Sequence, residues 1–94
     1  MAAKIEVQDV GSGQFDVRVI ERGSQSSHRV TLKPEDYQRL TGGKVKTQEL
    51  VRRSFEFLLE NESKESILGQ FDLNVIGRYF PNFEREIKRR ISGT

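Results

Sequence analysis

The sequence predicts an α+β fold, a three-stranded antiparallel β-meander followed by four to five helices packed on one face of the sheet. Two observations support this prediction. In the first third of the chain, apolar and polar residues alternate with a period of two, which is typical of half-buried strands. After Pro34 the apolar residues recur with helical spacing, and strands that precede helices in this way are typical of α+β proteins.

The length and composition predict a single soluble domain over residues 1–94. The chain has 94 residues, of which 34% are hydrophobic and 32% are charged, so it can bury one modest core. It contains neither an apolar run long enough to span a membrane nor a signal-peptide pattern. We therefore expect a cytoplasmic protein that does not contact membranes.

The residue types argue against enzyme chemistry. The chain has no Cys and one His, which removes thiolate metal sites, disulfides and a cysteine nucleophile. His28 has no partner pattern for a catalytic triad, so we expect an ordinary imidazole at a strand edge or on the surface. The Gly-Gly-Lys sequence that begins at Gly42 lacks the other residues of a phosphate-binding loop. We expect no catalytic residue, metal, cofactor or small-molecule substrate.

Three runs of alternating residues, 5–10, 15–21 and 28–32, are predicted to be strands, and short Gly/Ser segments join them. One face of the resulting sheet is apolar and the other is polar, so the sheet is expected to be covered on one side only. The apolar face collects Ile5, Val7, Phe15, Val17, Val19, Val30 and Leu32.

Helices are predicted from Pro34 onward. A short helix over residues 34–40 ends at Gly42, and Thr47 is expected to cap a longer helix that runs to residue 60 or 61. The apolar residues of this second helix span an arc of about 200°, wider than one sheet face can cover. Leu50 and Phe57 lie at the edge of this arc, so they are the candidate residues for an interface with a second copy or another protein.

The last third is predicted to contain three further helical segments. The first begins near Ser63 and carries Ile67, Leu68 and Phe71 inward. Asp72 caps the next segment. The last helix, over residues 82–91, carries three apolar residues at i,i+4 spacing, namely Phe83, Ile87 and Ile91.

The charge distribution gives a candidate basic surface. Two basic segments flank an acidic middle, although the net charge is only +2. On the last helix Arg85, Lys88 and Arg89 lie opposite the apolar stripe, so they are predicted to form an outward basic strip.

Residues 28–60 carry the most specific pattern in the chain. A short strand with Arg29, Thr31 and Lys33 facing outward precedes a helix opened by Pro34, a Gly-containing loop and a capped amphipathic helix that begins at Thr47. This order resembles the ribbon-helix-helix DNA-binding regulators. The resemblance implies dimer-paired strands in the major groove, with Arg29 and Thr31 reading bases, Lys33 assisting them and Thr47 at a phosphate.

Two function classes follow from these observations. The first is a small non-catalytic interaction or regulatory module that binds another protein or a second copy of itself. The alternative is a bacterial-type DNA-binding regulator of the ribbon-helix-helix kind. A helix-turn-helix over residues 66–80, with Arg78 on its second helix, is a weaker form of the DNA-binding hypothesis.

Overall fold

The computed structural model describes residues 3–92, and within them a four-stranded mixed sheet forms one side of the molecule. Its strands are β1 (Lys4–Gly11), β2 (Gln14–Glu21), β3 (Ser24–Thr31) and β4 (Gln70–Asp72), in the spatial order β1-β2-β3-β4. The first three strands are antiparallel, and β4 runs parallel to β3. The predicted meander is therefore confirmed, and the sheet has one strand more than expected.

Tight turns join the first three strands. Between β2 and β3 the turn consists of Arg22 and Gly23, both with positive φ, at 48° and 82°. Two successive residues of positive φ match the twist of an antiparallel hairpin. The turn is shorter than the Gly/Ser segment suggested, so β3 begins at Ser24, four residues earlier than predicted.

The two faces of the sheet differ as the alternation predicted. Val17, Val19 and Val30 are fully buried on the inner face. The outer face is polar: Asp16 of β2 lies beside Arg29 of β3 and carries its charge toward solvent. The core is consequently on one side of the sheet.

Four α-helices occur within residues 3–92: α1 (Pro34–Thr41), α2 (Thr47–Asn61), α3 (Ile76–Tyr79) and α4 (Phe83–Ser92). Helix α2 packs against β1, and α4 contacts α1, α2 and α3. Two further 3₁₀ turns lie at Lys64–Ser66 and Leu73–Val75. The α+β class is therefore confirmed.

Helix α2 is buried on both sides of its apolar arc. Phe55 faces the sheet and has its ring 5.3 Å from that of His28, while the ring of Phe57 lies 5.4 Å from that of Phe83. Leu50 is fully buried and Phe57 is 2% exposed within the single chain. The expectation that the monomer core does not reach Phe57 is wrong, because α4 covers the side of the arc that the sheet leaves open. Neither Leu50 nor Phe57 offers surface to a second molecule.

The segment predicted as a third helix is different. After the 3₁₀ turn at Lys64–Ser66 the chain extends, and β4 pairs with β3 from Arg29 to Thr31. Phe71 points inward as predicted, but Leu68 is exposed. The helix prediction is wrong here because the edge of β3 offers hydrogen bonds that the local sequence pattern does not reveal. The helix-turn-helix hypothesis for residues 66–80 loses its first helix for the same reason.

Two predicted caps have different outcomes. The Asp72 carboxylate accepts a hydrogen bond from the backbone N–H of Asn74 at 2.9 Å, so it caps the following turn as expected. Thr47 is not the cap of α2, because Lys46 holds that position and Thr47 is the first helical residue. The Thr47 hydroxyl donates instead to the side-chain oxygen of Gln48, at 3.3 Å.

Candidate functional site

The strongest candidate site is an apolar groove beside the β4 edge of the sheet. It has a volume of about 370 Å³, within the size range of ligand pockets. Its floor and walls come from the end of α2, the segment before β4, β4 itself, and α3 with the residues beside it. The groove residues are Leu58, Glu62, Ser66, Ile67, Leu68, Phe71, Val75, Ile76, Tyr79 and Phe80.

Large apolar side chains at the groove are left open to water. Tyr79 is 67% exposed and Leu68 is 47% exposed, and both line the groove. The other large hydrophobic residue that is exposed within residues 3–92 is Val10, at 40%, which is not a groove residue. Exposed apolar surface that is gathered in a concave site marks binding surfaces more often than scattered exposure does.

The fold fixes the segment that carries Leu68. The carbonyl oxygen of Leu68 lies 2.7 Å from Nδ1 of His28, and the carbonyl of Gly69 accepts the backbone N–H of Arg29 at 2.8 Å. Both bonds hold the backbone of this segment against β3. The Leu68 side chain is consequently held at the groove rather than being free to fold into the core.

His28 is buried, which differs from the surface or edge position expected from the sequence. A carbonyl oxygen can only accept, so Nδ1 donates to Leu68, and Nε2 shares a hydrogen bond with the Ser26 hydroxyl at 2.8 Å. Both ring nitrogens are used in these bonds. His28 therefore positions one wall of the groove from behind and does not face it.

The charge at the groove is negative. Glu62 lines the groove directly after the end of α2, and the last turn of α2 contains no basic residue to offset the helix dipole. Glu60 is paired with Arg90, whereas Glu62 makes no ion pair within the described part of the chain. One end of the groove thus carries an uncompensated carboxylate.

Of the residues predicted to contact DNA, Arg29 and Thr31 lie on the outer face of the sheet, whereas Lys33 caps the start of α1 and Thr47 begins α2. Arg29 and Thr31 are neighbours on β3, but the Arg29 guanidinium is paired with Asp16, and Lys33 Nζ lies 3.7 Å from a carboxylate oxygen of Asp72. Their charges are therefore largely neutralised within the chain. At Arg29 to Thr31 the strand is also paired on both sides, with β2 and with β4, so this segment has no free edge for pairing across a dimer. Nothing in residues 3–92 joins Thr47 to them by a hydrogen bond or an ion pair.

The predicted basic strip of α4 faces outward, as expected, with Arg85, Lys88 and Arg89 all exposed. Two of its three cations are paired on the same helix. Hydrogen bonding to Lys88, which outweighs desolvation, holds the pKa of Glu84 below its usual range, and Arg89 does the same to the pKa of Glu86. The strip is therefore a mixed surface of both charge signs.

The groove is the site that sequence reasoning missed. Several of its residues come from the segment that was predicted as a third helix and that instead forms a 3₁₀ turn and β4. Leu68, in this segment, was expected in the core. The one signal available was the concentration of aromatic residues in the helical half, which exceeds what a three-stranded sheet can cover.

Comparisons with known proteins add no relative: no protein-family model, curated protein or solved structure matches the chain significantly. No helix in residues 3–92 has the length and apolar character needed to cross a membrane. The same residues contain no cluster of three or more side chains suited to hold a metal ion.

Proposed function

We propose that this chain is a non-catalytic binding module that holds an apolar segment of a partner protein in the groove. The observation that carries the proposal is that Leu68 and Tyr79, both exposed, line one concave site. Burying such side chains against a partner releases roughly 25 cal/mol per Å² of apolar surface. A groove of about 370 Å³ suits two or three large apolar side chains presented by one short segment.

The charge of the groove indicates which kind of partner segment fits it. Glu62 and the C-terminal end of α2 place negative potential at one end of an otherwise apolar surface. Arg78 lies within α3, next to Tyr79, but does not line the groove. A segment that combines apolar side chains with a flanking Lys or Arg therefore complements the site better than an acidic one does.

Two labelled peptides test this proposal directly. Both are twelve residues long and carry the same three Leu residues at positions i, i+3 and i+7, but one is flanked by Lys and the other by Glu. Binding is measured by fluorescence anisotropy and by amide chemical shifts. We expect the Lys peptide to bind in the micromolar range, at least fivefold more tightly than the Glu peptide, with the shifts concentrated in residues 67–71 and 76–80.

Matched variants locate the binding site. Leu68→Asp should weaken binding of the Lys peptide at least tenfold, because it places a carboxylate where an apolar contact is required. Val10→Asp is the control, since Val10 is similarly exposed but lies outside the groove, and it should leave binding unchanged. Glu62→Gln should reduce the preference for the Lys peptide without abolishing binding.

Three results would overturn the proposal: no peptide binding at millimolar concentration, equal weakening by both Asp variants, or shifts outside the groove. A labelled DNA duplex serves as the competing ligand in the same assay. Salt-dependent binding of the duplex that is lost in Arg29→Ala, or on replacing Arg85, Lys88 and Arg89 together, would favour the DNA-binding alternative.

A further inference from the structure

Strand β1 forms an edge of the sheet whose outer side is unpaired within residues 3–92. β1 pairs with β2 along Lys4 to Gly11, and no other described strand pairs with it. An eight-residue edge with free backbone donors and acceptors is a template for a further strand. We propose that a second copy of this chain occupies the edge, with β1 pairing to β1 in antiparallel fashion about a two-fold axis at Ile5.

Charge complementarity selects the register. In a two-fold antiparallel pair the central residue faces its own copy, and residues equally far from the centre on either side face each other. With Ile5 at the centre, Lys4 of each chain lies opposite Glu6 of the other, so two ion pairs of opposite charge form on the outer face. Both side chains are exposed, at 72% and 44%, and within the single chain they lie 3.4 Å apart, with Arg18 a further 3.8 Å from Glu6. The cross-chain pairs therefore extend an existing cluster of charges on the outer face.

Neighbouring registers are less favourable. Centring the pair on Glu6 places two carboxylates opposite each other, and centring it on Lys4 does the same with two ammonium groups. Centring it on Val7 brings Asp9 opposite the apolar Ile5 and extends the pairing into the irregular register between Asp9 and Gly11. The Ile5 register avoids all three conflicts.

The inner side of the edge also suits a second copy. Ala3, Ile5 and Val7 pack against the core but remain only partly buried. In the Ile5 register Ala3 lies opposite Val7 and Ile5 opposite itself, so the partner strand continues the same apolar row and covers it. The described residues that pair in this register are 3–7, so the interface that they form is small, and we expect a weak dimer that forms at high protein concentration.

This dimer is independent of peptide binding in the groove. The groove includes Phe71 of β4, which is at the opposite edge of the sheet from β1. Pairing through β1 leaves both grooves of the dimer open. A bivalent partner could then gain avidity by engaging the two grooves together.

The test reverses the charges of Lys4 and Glu6, first singly and then together. The solution mass of the full chain is measured by sedimentation equilibrium between 10 µM and 1 mM, at low ionic strength. We expect a monomer–dimer equilibrium for the wild type, and dissociation constants raised about tenfold in Lys4→Glu and in Glu6→Lys. The double variant with both changes should return to within about threefold of the wild type, because the two pairs re-form with exchanged charges.

Lys44→Glu is the control for net charge. It changes the charge of the chain as Lys4→Glu does, at an exposed position outside β1, and should leave the dimer unchanged. Circular dichroism of each variant verifies the fold. A wild type that stays monomeric at 1 mM overturns the proposal, as does a dimer insensitive to the single reversals, or a double variant no better than the singles. None of these outcomes bears on peptide binding in the groove.

Discussion

At the scale of single residues, buried polar groups show how local chemistry depends on distant partners. Sequence reasoning identified His28 but not its environment, because its acceptor, the carbonyl of Leu68, is 40 positions away along the chain. By contrast, i,i+4 spacing on a predicted helix is enough to expect that Glu49 pairs with Arg53, and the two side chains meet at 2.7 Å. Interactions within one helix could therefore be predicted, whereas those that join separate elements could not.

Glu49 gives a pH-dependent prediction. Burial raises the pKa of Glu49, but hydrogen bonds from Arg52 and Arg53 outweigh it and hold that pKa below the ordinary 4.5. The stabilisation is thus fully present above about pH 4.5 and is lost as the pH falls through the lower pKa of the folded state. Glu49→Gln should lower the free energy of unfolding by about 1 kcal/mol at pH 7. This difference should shrink below pH 4.5 in urea titrations.

Glu56→Gln is the control for this experiment. Glu56 lies on the same helix but is more exposed and meets Arg52 at 3.5 Å, so its replacement should change the stability less at pH 7. A Glu49→Gln deficit that stays constant from pH 7 to pH 3 would contradict the assigned cause.

At the scale of elements, the periodicity of α2 was sufficient to predict that two surfaces cover it, but not which ones. The wide apolar arc is real, and α4 provides the second cover within the same chain. Helix α4 was predicted correctly in its buried face, with Phe83, Ile87 and Ile91 all inward. Strand β4 was not predicted, because over three residues an alternating pattern looks the same as part of a helix, and only the edge of β3 decides between them.

Phe57→Ala tests the assignment of α2 to the monomer core. The Phe57 ring packs against Phe80 and Phe83 and lies under the Arg90 guanidinium, at 5.7 Å. We expect a loss of about 3–5 kcal/mol in the free energy of unfolding, as for other truncations of core Phe residues. Leu59→Ala, at a half-buried position on the same helix, should cost clearly less.

The solution mass of Phe57→Ala separates core from interface. Because Phe57 is buried within one chain, the variant should have the same solution mass as the wild type where it is folded. Dissociation of a dimer by Phe57→Ala, with the stability unchanged, would return Phe57 to the interface that the sequence pattern first suggested.

At the scale of the whole molecule, the two opposite edges of the sheet expose different kinds of surface. The β1 edge offers backbone hydrogen bonds and the β4 edge borders an apolar groove. The alternation predicted the bare polar face, and the ribbon-helix-helix alternative placed DNA against it, but the pairing of Arg29 with Asp16 on the neighbouring strand was not predicted. Charges on separate strands can be read from a sequence only as isolated residues, because their cross-strand pairing depends on the fold.

The guanidinium of Arg39 links α1 to α4 and to the 3₁₀ turn at Leu73–Val75. Arg39 of α1 donates to Asp36 at 2.7 Å, to Glu84 of α4 at 3.1 Å and to Asn74 at 3.0 Å. These bonds connect three separate segments, and the Asp36 carboxylate is buried. Removal of Arg39 would leave this carboxylate with no cation and would release the contact between α1 and α4.

Arg39→Leu should therefore lower the free energy of unfolding by about 2–3 kcal/mol, less than the full penalty for breaking a buried ion pair because the guanidinium is partly exposed. The measurement is urea denaturation at pH 7. Arg89→Leu is the matched control, since Arg89 pairs with Glu86 at 2.6 Å on the exposed face of α4 and should cost clearly less. Adding Asp36→Leu to the Arg39→Leu variant should recover part of the loss, because the carboxylate left without a cation is then removed. Equal costs for the two Arg variants would mean that Arg39 acts as an ordinary surface charge and that apolar packing alone joins α1 to α4.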